Sequence, residues 1–255
     1  MGDVEDPCEA RLFMIYIRKF KPIILNCDYF YGSADSMTKN LKIKKVRIDI
    51  ISDVMCPWCV IGYKGLQQAL EQLDDELEAS IHWQPFELNP NMPDQGQDLG
   101  EHIAEKYGST PQQRKQNRDH ITKMGADLGF EFNFTNGQRI VNTFKAHQLL
   151  HWAGESSDLQ TELKMAFLSA YFTRGQDVSS NDVLLQIVAE VGLDSEYAGK
   201  LLNDQVYAGD VRALQQQWGQ LGVTAVPTFI IDEKYIISGG QPPEAFVQSL
   251  RKMME

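Results

Sequence analysis

The sequence predicts an α/β fold with an inserted α-helical domain, and three observations lead to this expectation. A β-branched run at residues 46–54 is followed by a helical pattern and then by a second strand-like run at 81–88. The stretch up to residue 203 then indicates a series of helices. The last segment, 204–255, returns to two short strands flanked by helices. A layered α/β domain that is interrupted by a helical one accounts for this order.

The first half begins with the strand VRIDIISDV at 46–54, which is rich in β-branched residues. A helix is expected from Pro57 to about Glu78, because leucines recur on one helical face at Leu66, Leu70, Leu73 and Leu77. The second strand, IHWQPFEL, contains Pro85. This proline predicts that the strand ends at a sheet edge or a bend.

The middle of the chain carries several helix start signals. Thr110 and Gln113 form a capping box around Pro111, and Ser157 and Gln160 have the same spacing at the start of another apolar periodic stretch. Near the end, strand-like runs at 228–231 and 235–238 flank a short turn, and Pro242-Pro243 opens a last helix. The predicted organisation is an N-terminal extension at 1–45, a core segment at 46–88, an inserted helical domain at 89–203 and a second core segment at 204–255.

Composition excludes several classes of protein. The chain has 255 residues, 43% of them hydrophobic, and a formal net charge of −11. An acidic surface argues against nucleic acids and anionic membranes as main partners. No apolar stretch reaches the roughly 20 residues that span a bilayer. The N-terminus carries acidic residues where a secretion signal would be basic, so a cytoplasmic location is expected.

The four cysteines, Cys8, Cys27, Cys56 and Cys59, are too few for a disulfide-built scaffold. Two of them form a Cys-x-x-Cys motif directly before the predicted helix, with Pro57 at its first position. Unpaired N–H groups and the helix dipole at that point favour a thiolate on Cys56, and a thiolate attacks disulfides. Half of a zinc site and two inert buried thiols are the alternatives, but no second close ligand pair accompanies the motif. Cys8 and Cys27 are expected to be free thiols.

A second element is Val226-Pro227, directly before the penultimate strand. X-Pro bonds tolerate the cis form far better than other peptide bonds. A lone Val-Pro carries no information. The pattern becomes specific when this dipeptide occurs together with a strand hairpin, a terminal helix and a distant Cys-x-x-Cys.

Four stretches together resemble the DsbA-like thioredoxin superfamily: SDVMCPWCVIG (52–62), WQPFELNP (83–90), RIVNTFKAHQLLHWA (139–153) and GVTAVPTFIIDEKYIISGGQ (222–241). The likeness covers residues from about 46 to 255 and is greatest to the FrnE-type branch. That branch is usually cytoplasmic and is related to 2-hydroxychromene-2-carboxylate isomerases and kappa-class glutathione transferases. The resemblance implies a thioredoxin-like fold and thiol–disulfide oxidoreductase or isomerase activity.

The resemblance also assigns roles to residues. It implies that Cys56 is the nucleophile, Cys59 the resolving thiol and Pro227 a cis-proline, with the backbone of Val226 pairing with substrate. Asn142 and His147 match a family pattern that lines the cleft beside the active site. Pro57 and Trp58, inside the motif, are further substrate-contact candidates. No bound cofactor or metal is expected, and glutathione or another thiol is the expected recycling partner for protein or small-molecule disulfide substrates.

The chain departs from familiar relatives at two positions. Periplasmic DsbA has a histidine inside its Cys-x-x-Cys, whereas Trp58 brings no charge, so a weaker oxidant is expected. Thioredoxin has a buried aspartate where this chain has Ile50. Asp49 and Asp53 lie nearby in the sequence, and the residue that takes the thiol proton stays unassigned. Two other functions stay open, a glutathione-dependent isomerase or transferase acting on a small molecule and a non-catalytic peptide-binding or chaperone module.

Overall fold

The computed structural model describes residues 43–135 and 137–255. Most of the predicted extension, including Cys8 and Cys27, lies outside the described residues. Four strands form the main sheet, in the order β2-β1-β5-β6: β1 (Lys44–Ser52), β2 (Leu77–Pro85), β5 (Thr228–Ile231) and β6 (Tyr235–Ser238). Strand β1 pairs with β2 in parallel and with β5 antiparallel, and β5 pairs antiparallel with β6. This mixed sheet, with helices on both faces, is the thioredoxin-like α/β core that the sequence predicts.

The two faces of β1 contact different helices. Ile48 and Ile50 are fully buried in a core that includes Leu66 from α1 (Pro57–Glu71) and Phe246 from α9 (Pro243–Met254). On the opposite face, Ile51 packs with residues of α8 (Ala208–Gln220) and the loop that follows it. Because side chains of a strand alternate between faces, β1 is buried on both sides and forms the centre of the core.

Helix α1 ends earlier than the leucine spacing predicts. It stops at Glu71, and Leu77 is the first residue of β2, opposite Lys44. Leu66, Leu73 and Leu77 are nevertheless buried in one core. The prediction to about Glu78 was wrong because the turn after Gln72 brings Leu77 to the same core from a strand. The second strand, predicted at 81–88, starts and ends earlier, at Leu77–Pro85. Its position at the edge of the sheet is the one that Pro85 predicts.

The remaining elements lie between β2 and α8. Two-residue strands β3 (Gln97–Asp98) and β4 (Arg139–Ile140) pair antiparallel. The capping box of Thr110 and Gln113 is confirmed at the start of α3. None of the helices in residues 43–135 and 137–255 is long and apolar enough to span a bilayer. The helices of this block are α2 (Leu99–Tyr107), α3 (Pro111–Asp127), α4 (Phe144–Ser156), α5 (Gln160–Phe172), α6 (Asn181–Val191) and α7 (Ser195–Asp204).

The helical block shares a hydrophobic core with the start of α1. Val60 and Ile61 of α1 and Met55 before it pack in the same buried cluster as Leu149 of α4 and Phe167 of α5. The segment that carries the Cys-x-x-Cys motif is therefore held from one side by the sheet and from the other by the helices.

Candidate active site

The two cysteines lie at the start of α1. Cys56 precedes the helix with an extended backbone, φ −96° and ψ 112°, and Pro57 is the first helical residue. The N–H of Cys59 donates to the carbonyl oxygen of Cys56 at 3.1 Å, which closes the first turn. Both thiols are free. Cys56 is 4% exposed and Cys59 is completely buried, so Cys56 is the thiol nearer the surface.

Pro227 lies opposite this turn. The Val226–Pro227 peptide bond is cis, the form that the resemblance implies. The thiol of Cys56 donates to the carbonyl oxygen of Val226 at 3.7 Å. Because Thr228 pairs with Ile51 in the sheet, the strand register itself brings the Pro227 loop next to the Cys-x-x-Cys turn.

The environments of the two thiols differ. Burial raises the pKa of the Cys59 thiol well above its usual range, and its hydrogen bond with Cys56 and the Cys56 charge raise it further. The charge of Lys164 acts in the opposite direction on the same pKa. Cys59 therefore needs help from its surroundings if it is to ionise near neutral pH.

Asp53 is buried beneath the motif. One of its carboxylate oxygens accepts a hydrogen bond from the N–H of Leu88 at 2.7 Å, and the other accepts one from Met55 at 3.4 Å. The Nε2 atom of His147 lies 3.5 Å from Asp53 Oδ1, with both side chains 2% exposed. Burial alone would raise the pKa of Asp53, but His147, the Leu88 N–H and Lys164 together lower it. Asp53 is therefore a buried carboxylate that is ionised at neutral pH.

Lys164 of α5 completes the buried group. Its side chain is fully buried, and its Nζ atom has no hydrogen-bond partner among the described residues. The Nζ atom lies 5.2 Å from the centroid of the Trp83 ring. Burial lowers the pKa of Lys164 to about 8, although the charges of Cys59, Asp53 and Cys56 act to raise it. At pH 7 the side chain is mostly an ammonium ion.

The other residues predicted to contact substrate lie in different environments. Pro57 and Trp58 are half-buried on the first turn of α1, and the Trp58 ring centroid lies 6.5 Å from that of His120. Val226 is half-buried beside Cys56. The ring of His147 is 2% exposed and lies against Asp53.

Asn142 supports the backbone next to a cleft. It donates from Nδ2 to the Met92 carbonyl at 3.4 Å and accepts from the Phe144 N–H at 2.9 Å. The open cleft measures about 480 Å³ and is lined by Leu88, Asn89, Pro90, Asn91, Met92, Pro93, Gly96, Gln97 and His102. In the described ranges, no cluster of three or more His, Cys, Asp or Glu side chains is arranged to hold a metal ion.

The comparison with protein families decides the classification. A model described as the DSBA-like thioredoxin domain matches residues 47–251. The chain belongs to the DsbA-like thioredoxin family. This confirms the family and the fold that the sequence predicts.

This DsbA-like protein is similar to a sequence relative and to a solved structure over most of their lengths. An uncharacterized protein of Bacillus subtilis (strain 168), YwbO, is 29% identical over 206 residues, which is 80% of this chain and 96% of YwbO. A solved structure titled a probable DsbA oxidoreductase from Streptomyces coelicolor is 32% identical, with a TM-score of 0.76 over 82% of this chain and 90% of that one.

More distant structures show the same fold. A 2-hydroxychromene-2-carboxylate isomerase is 11% identical, with a TM-score of 0.60 over 82% of this chain and 96% of that one. The cytosolic disulfide reductase DsbM from Pseudomonas aeruginosa, solved with GSH, is 18% identical, with a TM-score of 0.55 over 82% and 98% of the two chains. Structures titled a disulfide reductase and a 2-hydroxychromene-2-carboxylate isomerase thus share this fold.

Sequence reasoning missed two residues of this DsbA-like site. Lys164 lies one helical turn before Phe167 and Leu168, on the apolar face of α5. A charged residue among apolar positions of a helix is the sequence signal that could have identified it. Tyr107, at the end of α2, is 67% exposed. Burial and then the Cys56 charge raise the Tyr107 pKa, which places its hydroxyl within electrostatic reach of the first thiol. No local pattern identifies Tyr107, because α2 reaches the site only through the tertiary fold.

Proposed function

We propose that this protein is a dithiol–disulfide oxidoreductase that exchanges disulfides with protein or small-thiol substrates through Cys56 and Cys59. One observation carries the proposal: the Cys56 thiol faces the Val226 carbonyl at 3.7 Å, and Cys59 is buried one helical turn behind it. An outer thiol that can meet a substrate and an inner thiol that can meet only the outer one are the two parts that disulfide exchange requires.

The reaction proceeds in two balanced steps. The Cys56 thiolate attacks one sulfur of a substrate disulfide, and the other substrate sulfur leaves as a thiolate and takes up a proton. Cys59 then loses its proton and attacks the Cys56 sulfur, which breaks the mixed disulfide and releases the second substrate thiol. Two electrons have moved to the substrate, and the enzyme holds a Cys56–Cys59 disulfide. The same two steps in reverse transfer a disulfide from the enzyme to two substrate thiols.

The cis-proline loop orients the attacked disulfide in this proposal. The Val226 carbonyl accepts the hydrogen bond of the Cys56 thiol, so this stretch of backbone lies directly next to the attacking sulfur. We infer that the backbone of Val226 pairs with the substrate chain next to the mixed disulfide. Pro57 and Trp58, half-buried on the same surface, complete the contact.

Glutathione is the proposed recycling partner, and no bound cofactor enters the scheme. Two glutathione thiols reduce the Cys56–Cys59 disulfide and leave as glutathione disulfide, which balances the two electrons. The structure of DsbM with GSH supports this choice, since the two proteins share a fold. The same likeness to a cytosolic reductase supports a cytoplasmic setting, where glutathione is abundant.

The test is glutathione-coupled reduction of a disulfide substrate by the parent protein and by Cys56→Ser and Cys59→Ser variants. We expect activity to be lost in both variants. Cys8→Ser and Cys27→Ser are matched controls and should retain full activity. Turnover that is the same in Cys59→Ser as in the parent would instead favour a glutathione-dependent isomerase or transferase. Peptide binding without redox turnover in the parent would favour a non-catalytic module.

A further inference from the structure

Lys164 is a buried cation without an assigned task in the exchange reaction. Its side chain is completely buried, and its Nζ atom has no hydrogen-bond partner among the described residues. Burying a charged amine that lacks a partner is unfavourable, so a position that keeps one requires an explanation. The carboxylate of Asp53 is close enough to act on this amine electrostatically, but it does not form an ion pair with it.

Lys164 and Cys59 lie in the same buried layer, between α5 and the start of α1. Both side chains are completely buried, whereas Cys56 is 4% exposed. Leu163 and Phe167 of α5 pack in one cluster with Val60, the residue after Cys59. In agreement with this packing, the Cys59 charge acts on Lys164 more strongly than the Cys56 charge does. For Cys59 itself, Lys164 is the side chain that favours the ionised form. The ammonium group therefore acts more on the inner thiol than on the outer one.

We propose that the Lys164 ammonium group promotes ionisation of Cys59 in the resolving step, so that a residue of the inserted helical domain sets the rate at which the mixed disulfide is released. This inference rests on the proposed function and adds a positioning residue to it. Lys164 does not touch the substrate. It acts by stabilising the charge that Cys59 carries when it attacks.

The proton balance of the step is simple. Cys59 loses its proton, its sulfur bonds to the Cys56 sulfur, and the bond from Cys56 to the substrate sulfur breaks. The leaving sulfur takes the electron pair and then a proton, so the net transfer is from Cys59 to the released thiol. Lys164 stays protonated throughout.

The pH dependence of this step involves every titratable group near Lys164. The Asp53 charge favours the protonated form of Lys164, against the larger effect of burial. His147 and His151 of α4 line a narrow gap with Lys164 and Trp83. Tyr171, on the same helix as Lys164, donates its hydroxyl to the Arg139 carbonyl, and burial and then the Asp53 charge raise its pKa. The titratable neighbours are thus Cys56, Cys59, Asp53, His147, His151 and Tyr171.

The experiment separates the two chemical steps, with glutathione disulfide as the probe. Reduced protein is mixed with the probe, quenched with acid and analysed by mass spectrometry, which gives the population and the decay rate of the Cys56–glutathione mixed disulfide. Lys164→Met removes the charge at similar length, Lys164→Gln is a second uncharged variant, and Lys164→Arg retains the charge. Lys145→Met, on an exposed position of α4, is the matched control. The first step is measured alone in a Cys59→Ser background.

We expect Lys164→Met and Lys164→Gln to slow decay of the mixed disulfide at pH 7 by about tenfold, the effect of raising the Cys59 pKa by one unit. Their rate–pH profiles should be displaced to higher pH, with Lys164→Arg and Lys145→Met close to the parent. The first step should change by less than about threefold, since Lys164 acts less on Cys56. Equal slowing of both steps, or parent-like decay in both uncharged variants, overturns the inference. A parent that forms no mixed disulfide would overturn the proposed function as well.

Discussion

The side-chain amide of Gln160 hydrogen-bonds both backbone groups of Trp83. Its Oε1 atom accepts from the Trp83 N–H at 2.9 Å, and its Nε2 atom donates to the Trp83 carbonyl at 3.1 Å. Strand β2 is an edge strand, so Gln160 takes the place of the missing neighbouring strand at this residue. The start of α5 is thereby fixed to the sheet, and Lys164 follows one turn later on the same helix.

We expect Gln160→Ala to lower the free energy of unfolding by about 2 kcal/mol, because the change leaves buried backbone groups of β2 unpaired. A third bond, from Nε2 to the Leu150 carbonyl at 3.0 Å, is lost as well. Urea denaturation gives this value. The same variant should slow release of the mixed disulfide, since Lys164 is no longer held in place. Unchanged stability would show that the amide contacts are not made in solution.

A pair of glycine variants provides the control for this contact. A Cβ atom on Gly154 would collide with the side-chain amide of Gln160, so Gly154→Ala should displace the amide and destabilise the protein. A Cβ atom on Gly199 of α7 would meet Leu185 at an ordinary 3.4 Å. Gly199→Ala should therefore be neutral or stabilising by up to about 1 kcal/mol, through helix propensity alone.

Much of the fold could be predicted because its signals are local. Strands β5 and β6 occupy the predicted residues, and the last helix starts at the predicted proline pair. The capping box at Thr110 is present because its two bonds involve only neighbouring residues. In each case the information lies within a few residues of the element that it predicts.

The predictions that failed depended on tertiary contacts. Ser157 and Gln160 have the spacing of a capping box, but α5 starts without a side-chain cap, because the Gln160 amide binds Trp83 instead. Leu77 matched a helical period yet entered β2, because pairing with β1 was available. The buried environment of Lys164 depends on Trp83 of β2 and on His147 and His151 of α4, which no short stretch of sequence brings together.

Tyr107 should distinguish protein substrates from small ones. Its ring is 67% exposed, the Cys56 charge acts on its hydroxyl, and exposed aromatic rings are frequent contact residues for protein partners. We expect Tyr107→Ala to raise KM for a protein disulfide by about five- to tenfold and to leave the reduction of glutathione disulfide unchanged. Tyr107→Phe keeps the ring and should behave like the parent. Equal losses with both substrates would place Tyr107 in the chemistry and not in substrate recognition.

Lys164 should also determine how stability changes in alkaline solution. Its pKa is lowered from 10.5 to about 8 in the folded protein. Between these values the unfolded chain holds a proton that the folded one lacks, so this group makes the free energy of unfolding rise with pH. The full change amounts to about 3 kcal/mol, at 1.36 kcal/mol per pKa unit.

The comparison with Lys164→Met is made with Cys59→Ser in both proteins, because Lys164 and Cys59 act on each other's pKa. The pKa of Cys59 is raised by burial, so Cys59 makes stability fall as pH rises above its usual range. Urea denaturation of the Cys59→Ser protein and of the double variant with Lys164→Met at several pH values from 7 to 10 therefore gives two curves. The Cys59→Ser protein should gain stability relative to the double variant across pH 8 to 10, because only the protein with Lys164 loses the buried charge there. A constant difference between the curves would mean that Lys164 does not titrate in this range, and its charge in the folded protein would have to be assigned anew.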